Sequence, residues 1–183
     1  YDLMASYGYP GVEQYKPYPT YVTPCVGYES TFKDGKIGGE KGDYPFIMYN
    51  PHYLLRSHAV FGNCPWLRET WATPVFVSRE DAKAKGISDG DTVLISTPVG
   101  KGLRRAAVLD ILLPGVVGVP HGAWVDVDEK TGIDRAGSDN YLIGAEYGGF
   151  GVSGYNNQIC NIEKYTGDAL EPDCEWPQRI VNA

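Results

Sequence analysis

Several features that would place the 183-residue sequence in a functional class are absent. No run approaches the roughly 20 apolar residues of a membrane helix, so no segment is expected to span a membrane directly. The net charge of -7 is the opposite of the basic excess typical of nucleic-acid-binding domains, which argues against such a partner. There is also no cysteine in a protease-like context, and no catalytic residue is assigned.

Cysteine pairs with the spacing of metal ligands are absent too. The four cysteines, Cys25, Cys64, Cys160 and Cys174, include no C-x-x-C pair, so no metal site is assigned within this chain. Their even number permits two disulfides, but buried free thiols are the favoured interpretation. The sequence begins without Met and without a signal-peptide pattern, and it is interpreted as a fragment or a processed chain.

Turn and strand formers are abundant: the chain has 23 glycines, 13 prolines and 14 tyrosines. This composition favours many turns and strands over helices. Short strands separated by turns predict a closed barrel or a sandwich. Six strands are predicted from β-branched and apolar runs, at 45–50, 74–77, 92–97, 103–109, 116–119 and 158–163.

The best-defined local unit runs from Ser78 to Gly102. Ser78 and Asp81 form an S-x-x-D start for a helix that is expected to stop at Gly86. A D-G-D turn then leads into the strand at 92–97. That strand is expected to form a hairpin with the strand at 103–109, whose arginines are predicted on its outer face. A further helical turn is predicted from Cys64 to Thr70.

The sequence N-P-H-Y-L-L-R-S-H is the most promising binding segment. It follows the first predicted strand and contains Asn50, His52, Arg56, Ser57 and His58. Cationic and amide groups of this kind suit phosphates and purine edges. On residue chemistry alone, a binding role and an ordinary surface loop both remain open.

Three other patterns carry weaker signals. The histidines His52, His58 and His121 would make a metal triad only if they converged, and loop histidines are the favoured alternative. The acidic stretch 126–134 lacks the order of a calcium loop and is interpreted as a solvated, exposed loop. Glycines between 148 and 154 could bring amides to a phosphate, but they lack a dinucleotide fingerprint.

The order of the motifs is more informative than any single motif. P-H-x-x-x-R-S-H is followed by N-x-x-W-L-R-E, DAKAKGISDGDTV, LPGVVGVPHGAW, SDNYL and QICNIEKY. This series resembles the C-terminal domain of molybdopterin-dependent oxidoreductase catalytic subunits of the dimethyl sulfoxide reductase family. The HGAW sequence is similar to the E-G-A-W form of the dimethyl sulfoxide reductase branch.

The resemblance implies a mainly β fold. The expected architecture is a six-stranded double-psi β-barrel of the aspartate decarboxylase-like type, with short helices and extended termini. It implies a barrel domain at 45–165, between a lead-in segment at 1–44 that wraps the core and a C-terminal tail at 166–183. Carried over position by position, the family's cofactor-contacting residues correspond to Asn50, His52, Arg56, Ser57, His58, Asn140, Asn156 and Gln158.

The same resemblance implies a function for the whole protein. The domain would enclose bis(molybdopterin guanine dinucleotide) with molybdenum in the full-length subunit, for two-electron reduction of an oxygen-containing substrate such as a sulfoxide. Both the metal's protein ligand and an iron–sulfur cluster are expected in the missing N-terminal part, so the fragment alone would be inactive. The alternative is a non-enzymatic double-psi barrel binding module, such as a domain of an ATPase.

The expected partners and cellular location are implied only by the resemblance to the family. The expected partners are the remainder of the catalytic subunit, an iron–sulfur electron-transfer subunit and a membrane anchor subunit. The expected location is extracytoplasmic or at a membrane through those partners, with a cytoplasmic location left open.

Overall fold

The computed structural model describes residues 2–8, 12, 18–19, 21, 24, 26–54, 56–62, 64–70, 72–144 and 155–170. Within these ranges the α-helices are α1 (Asp2–Ser6), α2 (Pro65–Thr70) and α3 (Arg79–Lys85). Short 3-10 helices cover Tyr28–Thr31, Lys33–Gly35 and Tyr155–Asn157. The strands are β1 (Phe46–Tyr49), β2 (Pro74–Ser78), β3 (Thr92–Ser96), β4 (Lys101–Leu109), β5 (Val116–Gly118), β6 (Val127–Asp128), β7 (Ile133–Asp134) and β8 (Gln158–Lys164).

Six of these strands close into a barrel. Hydrogen-bonded neighbours follow the order β2-β5-β1-β8-β3-β4, and an additional pairing of β4 with β2 completes the circle. The two-residue strands β7 and β6 extend the sheet from β4 outside the barrel. Closure removes the exposed sheet edges that would otherwise invite pairing with other chains.

The strand pairings have an internal two-fold symmetry. Two pairs are parallel, β1 with β5 and β2 with β4, while the other barrel pairs are antiparallel. Exchanging β1 with β4, β2 with β5 and β3 with β8 leaves the pattern of pairings and directions unchanged. This closed, symmetric barrel is the double-psi β-barrel that the resemblance implies, and the expected fold is confirmed.

The core fills the inside of the barrel. The strands supply side chains such as Met48, Val75, Val93, Val117 and Ile162, each with no exposed surface. In β1 the buried and half-buried residues alternate, as expected for a strand with one face towards a core. The side chain of Cys160 lies in this core as a free thiol, and burial raises its pKa well above the ordinary value.

The predicted elements are largely confirmed. All six barrel strands lie within two residues of their predicted bounds. The backbone N–H of Asp81 donates to the Ser78 hydroxyl at 3.1 Å, and Gly86 ends α3 in the left-handed conformation. Helix α2 begins at Pro65 inside the predicted Cys64–Thr70 stretch, and β3 pairs with β4 as the hairpin prediction requires.

Two predictions are wrong. The arginines of β4 do not share an outer face, because Arg104 is buried and Arg105 is half-buried. The stretch 126–134 is not simply an exposed loop, because it contains β6 and β7 and ends at the buried Asp134. In both cases a charged side chain is buried because backbone groups of neighbouring loops satisfy its hydrogen bonds.

Other predictions lie outside the described residues. These are the glycines at 148–154, most of the C-terminal tail, and the cysteines Cys25 and Cys174. In the part of the chain that is described, no helix has the length and apolar character needed to cross a membrane.

Candidate functional site

The parallel pair of β1 and β5 determines where the candidate site lies. Both strands leave the barrel in the same direction, and their pairing continues beyond the strand ends. The Val119 N–H donates to the Tyr49 carbonyl at 2.9 Å, and the His121 N–H donates to the Pro51 carbonyl at 2.9 Å. As a result the R-S-H segment (residues 50–54 and 56–62) lies beside the H-G-A-W loop (residues 119–125). Crevices at the carboxyl ends of neighbouring strands are frequent ligand sites.

A glycine lets the two segments come together. A Cβ atom on Gly122 would lie 1.9 Å from the carbonyl oxygen of His58, so no larger residue fits at this crossing. Gly122 also has φ +82, a conformation that L residues rarely adopt. The glycine of the H-G-A-W loop is therefore required by packing as well as by backbone geometry.

Backbone strain is concentrated at this crossing. Of the four described non-glycine residues with positive φ, three lie in these two segments: His58 at φ 55, Phe61 at φ 70 and Ala123 at φ 152. Such conformations cost on the order of 1 kcal/mol or more each, and they tend to cluster at ligand sites. The strain supports a functional role for this part of the barrel mouth.

Asn50 provides a buried amide with one unused group. Its side chain is 2% exposed, and its Nδ2 donates to the Val119 carbonyl at 3.0 Å. Its backbone N–H donates to Oδ1 of Asn156 at 3.0 Å, which links the start of the R-S-H segment to the turn before β8. The Oδ1 atom of Asn50 is buried and has no hydrogen-bond partner. An unpaired buried acceptor is costly, and a ligand donor would satisfy it.

The three histidines converge. The ring centroids are 5.5 Å apart for His52 and His58, 5.1 Å for His52 and His121, and 5.2 Å for His58 and His121. Nδ1 of His121 lies 3.1 Å from a carboxylate oxygen of Asp139, which orients the ring with Nδ1 as the proton donor. Across the described residues, no group of three or more His, Cys, Asp or Glu side chains is suited to hold a metal ion. We therefore interpret the cluster as a hydrogen-bonding surface.

Arg104 holds the surrounding loops in place from below. Its guanidinium donates to the carbonyls of Pro74 at 3.0 Å, Pro120 at 2.9 Å and Gly137 at 2.6 Å. These carbonyls belong to the start of β2, the H-G-A-W loop and the S-D-N turn (residues 137–142). Burial lowers the pKa of Arg104 to about 10, with the Asp139 carboxylate opposing the shift, so the guanidinium stays charged at neutral pH.

Two buried aspartates complete the support of the loops. One carboxylate oxygen of Asp139 accepts from the Gly122 N–H at 3.0 Å, while the other contacts His121. Asp134 accepts the backbone N–H groups of Asp126 at 2.6 Å and Ser138 at 2.5 Å. Burial raises the pKa of Asp134, and these backbone donors oppose that shift. The loops are thus fixed by charge-assisted hydrogen bonds rather than by apolar packing alone.

The residues predicted as cofactor contacts fall into two groups. His52, Arg56 and His58 lie in the R-S-H segment beside the H-G-A-W loop, and the exposed Ser57 lies between them. Asn140 is exposed on the S-D-N turn, next to the Asp139 that contacts His121.

The second group lies where β1 meets β8. Asn50 and Asn156 are hydrogen-bonded to each other, and the buried Gln158 accepts from the Gly144 N–H at 3.4 Å. Because Asn50 also bonds to Val119 at the start of the H-G-A-W loop, the two groups adjoin at one barrel mouth.

Sequence reasoning missed several supporting residues. His121 was considered only as a metal ligand, and its place beside the R-S-H segment follows from the parallel pairing of β1 with β5. Arg104 and Asp139 gave no signal, because the carbonyls and amides that they bind come from distant parts of the chain. The P-H-G sequence near the end of β5 was the one local indication of this crossing, because a glycine near a strand often marks a place where another backbone segment approaches closely.

Comparison with known families agrees with this geometry. Residues 46–151 match the family described as the Molydopterin dinucleotide binding domain, which covers more than half of the chain. The chain belongs to this family. Membership in this family indicates a molybdopterin dinucleotide cofactor, and it argues against the alternative of an ATPase-type binding module.

Two curated relatives place this domain within longer reductases. The chain is 35% identical over 180 residues to a trimethylamine-N-oxide reductase of Pasteurella multocida, covering 92% of this chain and 20% of the relative. It is 33% identical over 141 residues to dimethyl sulfoxide reductase DmsA of Escherichia coli, covering 77% of this chain and 16% of the relative. The chain therefore spans about a fifth of the length of these relatives. The resemblance to the dimethyl sulfoxide reductase family is confirmed.

A solved structure supports the fold. Acetylene hydratase from Pelobacter acetylenicus superposes with a TM-score of 0.65 over 84% of this chain and 22% of its own chain. The sequence identity is 17%, so this similarity concerns the fold alone.

The residues at the barrel mouth fit a molybdopterin dinucleotide. Its nucleotide base has N–H groups that could satisfy the unpaired Oδ1 of Asn50. Its pyrophosphate needs cationic or N–H donors, and the side chains of Arg56, His52 and His58 in the R-S-H segment carry groups of this kind. The close approach at Gly122 leaves no side chain between the two segments. The donor and acceptor set of this family member is therefore compatible with its cofactor.

Proposed function

We propose that the chain is the cofactor-enclosing domain of a molybdenum oxidoreductase catalytic subunit and that its cofactor is bis(molybdopterin guanine dinucleotide). The observation that carries this proposal is the unpaired, buried Oδ1 of Asn50 at the mouth of a barrel that belongs to the molybdopterin dinucleotide binding family. An acceptor in this position suits the N1–H and amino group of guanine. Adenine offers only its exocyclic amino group on its pairing edge, so it presents one donor group where guanine presents two.

Each predicted residue has a role in this proposal. Asn50, Asn140, Asn156 and Gln158 supply amide groups to the base and ribose, while His52, Arg56, Ser57 and His58 supply donors to the pyrophosphate. The bound cofactor would supply the two-electron chemistry at molybdenum. The protein groups described here bind and orient it, and the barrel excludes water from one side of it.

The activity of the whole protein is part of the same proposal. We infer a two-electron reduction of an oxygen-containing substrate such as a sulfoxide or an amine N-oxide. The names of the relatives, trimethylamine-N-oxide reductase and dimethyl sulfoxide reductase, support this substrate class. Because the chain spans about a fifth of such relatives, the metal ligand and substrate pocket would lie largely in other parts of the protein.

The expected organisation is also proposed. The barrel domain would occupy residues 45–165, with the lead-in at 1–44 and the tail at 166–183 packed against the rest of the catalytic subunit. An iron–sulfur cluster would lie in the N-terminal part. An iron–sulfur subunit and a membrane anchor subunit would complete an extracytoplasmic or membrane-associated enzyme.

The coding sequence upstream of this chain tests the enzyme proposal without any biochemical experiment. An in-frame N-terminal region with a cysteine cluster and a twin-arginine signal would support a respiratory molybdenum enzyme. A coding sequence without a region for the remaining catalytic domains would contradict it.

Nucleotide binding tests the cofactor proposal directly. We expect the chain to bind GDP about tenfold or more tightly than ADP in calorimetric titration, because guanine offers the Asn50 acceptor two adjacent donor groups and adenine only one. Asn50→Ala should remove this preference. Asn161→Ala is the matched control, since Asn161 lies on β8 and bonds to Lys85 and Glu163 instead of the barrel mouth. Equal affinity for GDP and ADP in the unsubstituted chain would contradict recognition of guanine by Asn50.

A further inference from the structure

A cavity outside the barrel mouth lies between the lead-in segment and β1. Its volume is about 420 Å³, which is within the range of small-molecule sites. Its walls include Tyr21, Tyr28 and Glu29 of the lead-in, Ile47 of β1 and Asn157 of the turn before β8. Because these side chains come from distant parts of the sequence, the cavity forms only in the folded chain.

The lead-in is well fixed where it forms the wall of this cavity. The 3-10 helix at Tyr28–Thr31 ends at Thr31, which has no exposed surface and whose hydroxyl donates to the Tyr28 carbonyl at 2.7 Å. The ring of Tyr28 meets the buried Phe32 edge to face, with the ring centroids 5.2 Å apart. The orientation of the Tyr28 ring is therefore set before any ligand arrives, which lowers the cost of binding.

Glu29 places a negative charge in the cavity wall. The Tyr21 hydroxyl donates to its Oε1 atom. This hydrogen bond, followed by one from the backbone, holds the pKa of Glu29 below its usual range, so the carboxylate is ionised at neutral pH. Within the described part of the chain, Glu29 forms no salt bridge with a lysine, arginine or histidine. The cavity thus has a carboxylate whose recorded partner is a neutral phenol.

The chemistry of the walls favours an organic cation over a metal ion. The faces of the Tyr21 and Tyr28 rings attract cations, and Glu29 adds a full negative charge beside them. A calcium or magnesium ion would need about six oxygen ligands, whereas this wall has one carboxylate among largely apolar surfaces. The side chain of Ile47 suits alkyl groups. An ammonium ion with alkyl substituents matches all of these groups.

Lys41 shows that the neighbouring rings already accept an ammonium group. Its Nζ atom lies 3.8 Å from the centre of the Phe32 ring and 4.9 Å from that of Tyr28, and it donates to the Thr31 hydroxyl at 2.7 Å. Lys41 is not part of the described cavity lining. Its charge repels a second cation near Tyr28, so we expect an affinity in the millimolar range.

We propose that this cavity binds a small alkylated ammonium ion, with Glu29 as its counter-charge and the rings of Tyr21 and Tyr28 as its walls. The proposal goes beyond the cofactor function, since it gives the chain a second class of ligand. The two sites would be neighbours: Asn156 bonds to Asn50 at the barrel mouth, and the next residue, Asn157, lines the cavity.

A pair of isosteric probes tests whether the cavity recognises charge. Choline and 3,3-dimethyl-1-butanol have the same shape, but a carbon replaces the cationic nitrogen in the alcohol. In an NMR titration of the 183-residue chain, we expect choline to bind with a Kd on the order of 1–10 mM, at least about tenfold more tightly than the alcohol. Equal binding of the two probes would overturn the proposal.

A charge-removing substitution locates the cation. Glu29→Gln should weaken choline binding by about tenfold, because the counter-charge is lost while the shape of the side chain is kept. Glu40→Gln is the matched control, since Glu40 is an exposed carboxylate of the same lead-in that pairs with Lys33. It should bind choline as the unsubstituted chain does. Undiminished choline affinity in Glu29→Gln would show that the cation binds elsewhere.

Two substitutions of Tyr21 isolate the contribution of the ring. Tyr21→Phe and Tyr21→Leu both remove the hydrogen bond to Glu29, but only Tyr21→Phe keeps an aromatic face. We expect Tyr21→Leu to bind choline about two- to fivefold more weakly than Tyr21→Phe. Tyr21 is largely exposed, so neither change should unfold the chain, and circular dichroism checks this. Equal affinities would exclude the ring contact.

A third probe distinguishes a free ammonium ion from a docked arginine side chain of another part of the protein. Methylguanidinium should bind more weakly than choline; tighter binding would overturn the proposal in favour of the side chain. The result is independent of the cofactor. If the chain binds GDP but not choline, this inference fails and the cofactor function stands. If it binds choline as described but not GDP, the cation site stands and the cofactor function fails.

Discussion

Arg104 occupies a position on β4 where a strand pattern leads one to expect either an apolar side chain or an exposed charge. It is 1% exposed, and its guanidinium donates to carbonyls of three separate segments. A buried charge is tolerated only when hydrogen-bond acceptors such as these carbonyls replace the lost water. The side chain therefore links the strands of the barrel to the loops of the candidate site.

Removing this side chain should destabilise the fold strongly. We expect Arg104→Met to lower the free energy of unfolding by about 3 kcal/mol or more, because it leaves the buried carbonyls of Pro120 and Gly137 without donors. Guanidinium chloride denaturation measures the change. Arg105→Met on the same strand, where the half-buried side chain bonds to the Leu170 carbonyl, should cost about 1 kcal/mol or less. Equal losses in the two variants would contradict the role of Arg104.

Gly122 gives a second residue-scale prediction. Gly122→Ala should lower the free energy of unfolding by about 1–3 kcal/mol more than Gly115→Ala does. Both glycines have φ +82, so both variants share the backbone penalty, but only at Gly122 would the new Cβ meet the His58 carbonyl. Gly115 has open space around its Cβ position. The difference between the two variants in thermal or chemical denaturation isolates the close contact, and equal effects would contradict it.

From residue chemistry alone, the residues of the site could be predicted only where they follow one another in sequence, whereas Asn140, Asn156 and Gln158 came from the family resemblance. Asn50, His52, Arg56 and His58 lie in one segment, so a polar cluster after a strand revealed them. Arg104 was not found, because the carbonyls that it binds are 16 or more residues away and are brought near only by the fold. Local sequence patterns contain no information on such distant pairs.

At the scale of elements, the unit formed by α3, the D-G-D turn and β3 shows local signals acting together. The cap at Ser78, the left-handed Gly86 and the β-branched run of β3 were all readable, since each depends on neighbouring residues. Asp81, in the first turn of α3, also makes a contact outside the helix. Its Oδ2 accepts from the Gly115 N–H at 2.8 Å, which links α3 to the turn before β5. This second contact was not predictable from local sequence.

The D-G-D turn predicts a pH effect on stability. Oδ2 of Asp91 accepts from Lys164 at 2.9 Å and from the Ser88 N–H at 2.7 Å, and these contacts lower the pKa of Asp91 below its ordinary 3.8. The unfolded chain therefore binds the proton more readily. The contribution to stability is present above about pH 4 and is lost as the pH falls through the lower, folded-state pKa.

Asp91→Asn measures this contribution. At pH 7 it should lower the free energy of unfolding by about 0.5–1 kcal/mol, a modest value because Lys164 is half-exposed and solvent screens the pair. The difference from the unsubstituted chain should shrink as the pH falls below 4. Glu129→Gln, in the exposed turn after β6, serves as the control. A difference that stays constant from pH 7 to pH 2 would contradict the assignment.

At the scale of the whole molecule, the barrel explains why one mouth carries the candidate site. The parallel pair of β1 and β5 sends the R-S-H segment and the H-G-A-W loop out side by side, and the Arg104 network adds the S-D-N turn. Sequence patterns predicted six strands but left barrel and sandwich open. Their pairing order depends on contacts across the chain, and only the family resemblance supplied it in advance.

The symmetry of the barrel has a functional consequence. The second parallel pair, β2 with β4, is related to the first by the internal two-fold, yet α3 follows β2 directly, at Arg79. The polar loops therefore follow β1 and β5, while the equivalent exit after β2 is occupied by a helix. This asymmetry gives the protein one cofactor-binding mouth in our proposal.

The most direct test of that proposal is the cofactor content of the full-length protein that contains this chain. Purified anaerobically, it should contain molybdenum and pterin, and acid hydrolysis should release GMP. Arg56→Ala and Asn140→Ala should each lower the molybdenum and pterin content, while Arg79→Ala, on the outside of the barrel, should leave both unchanged. A folded full-length protein without pterin, or site variants with undiminished metal and pterin content, would contradict the account.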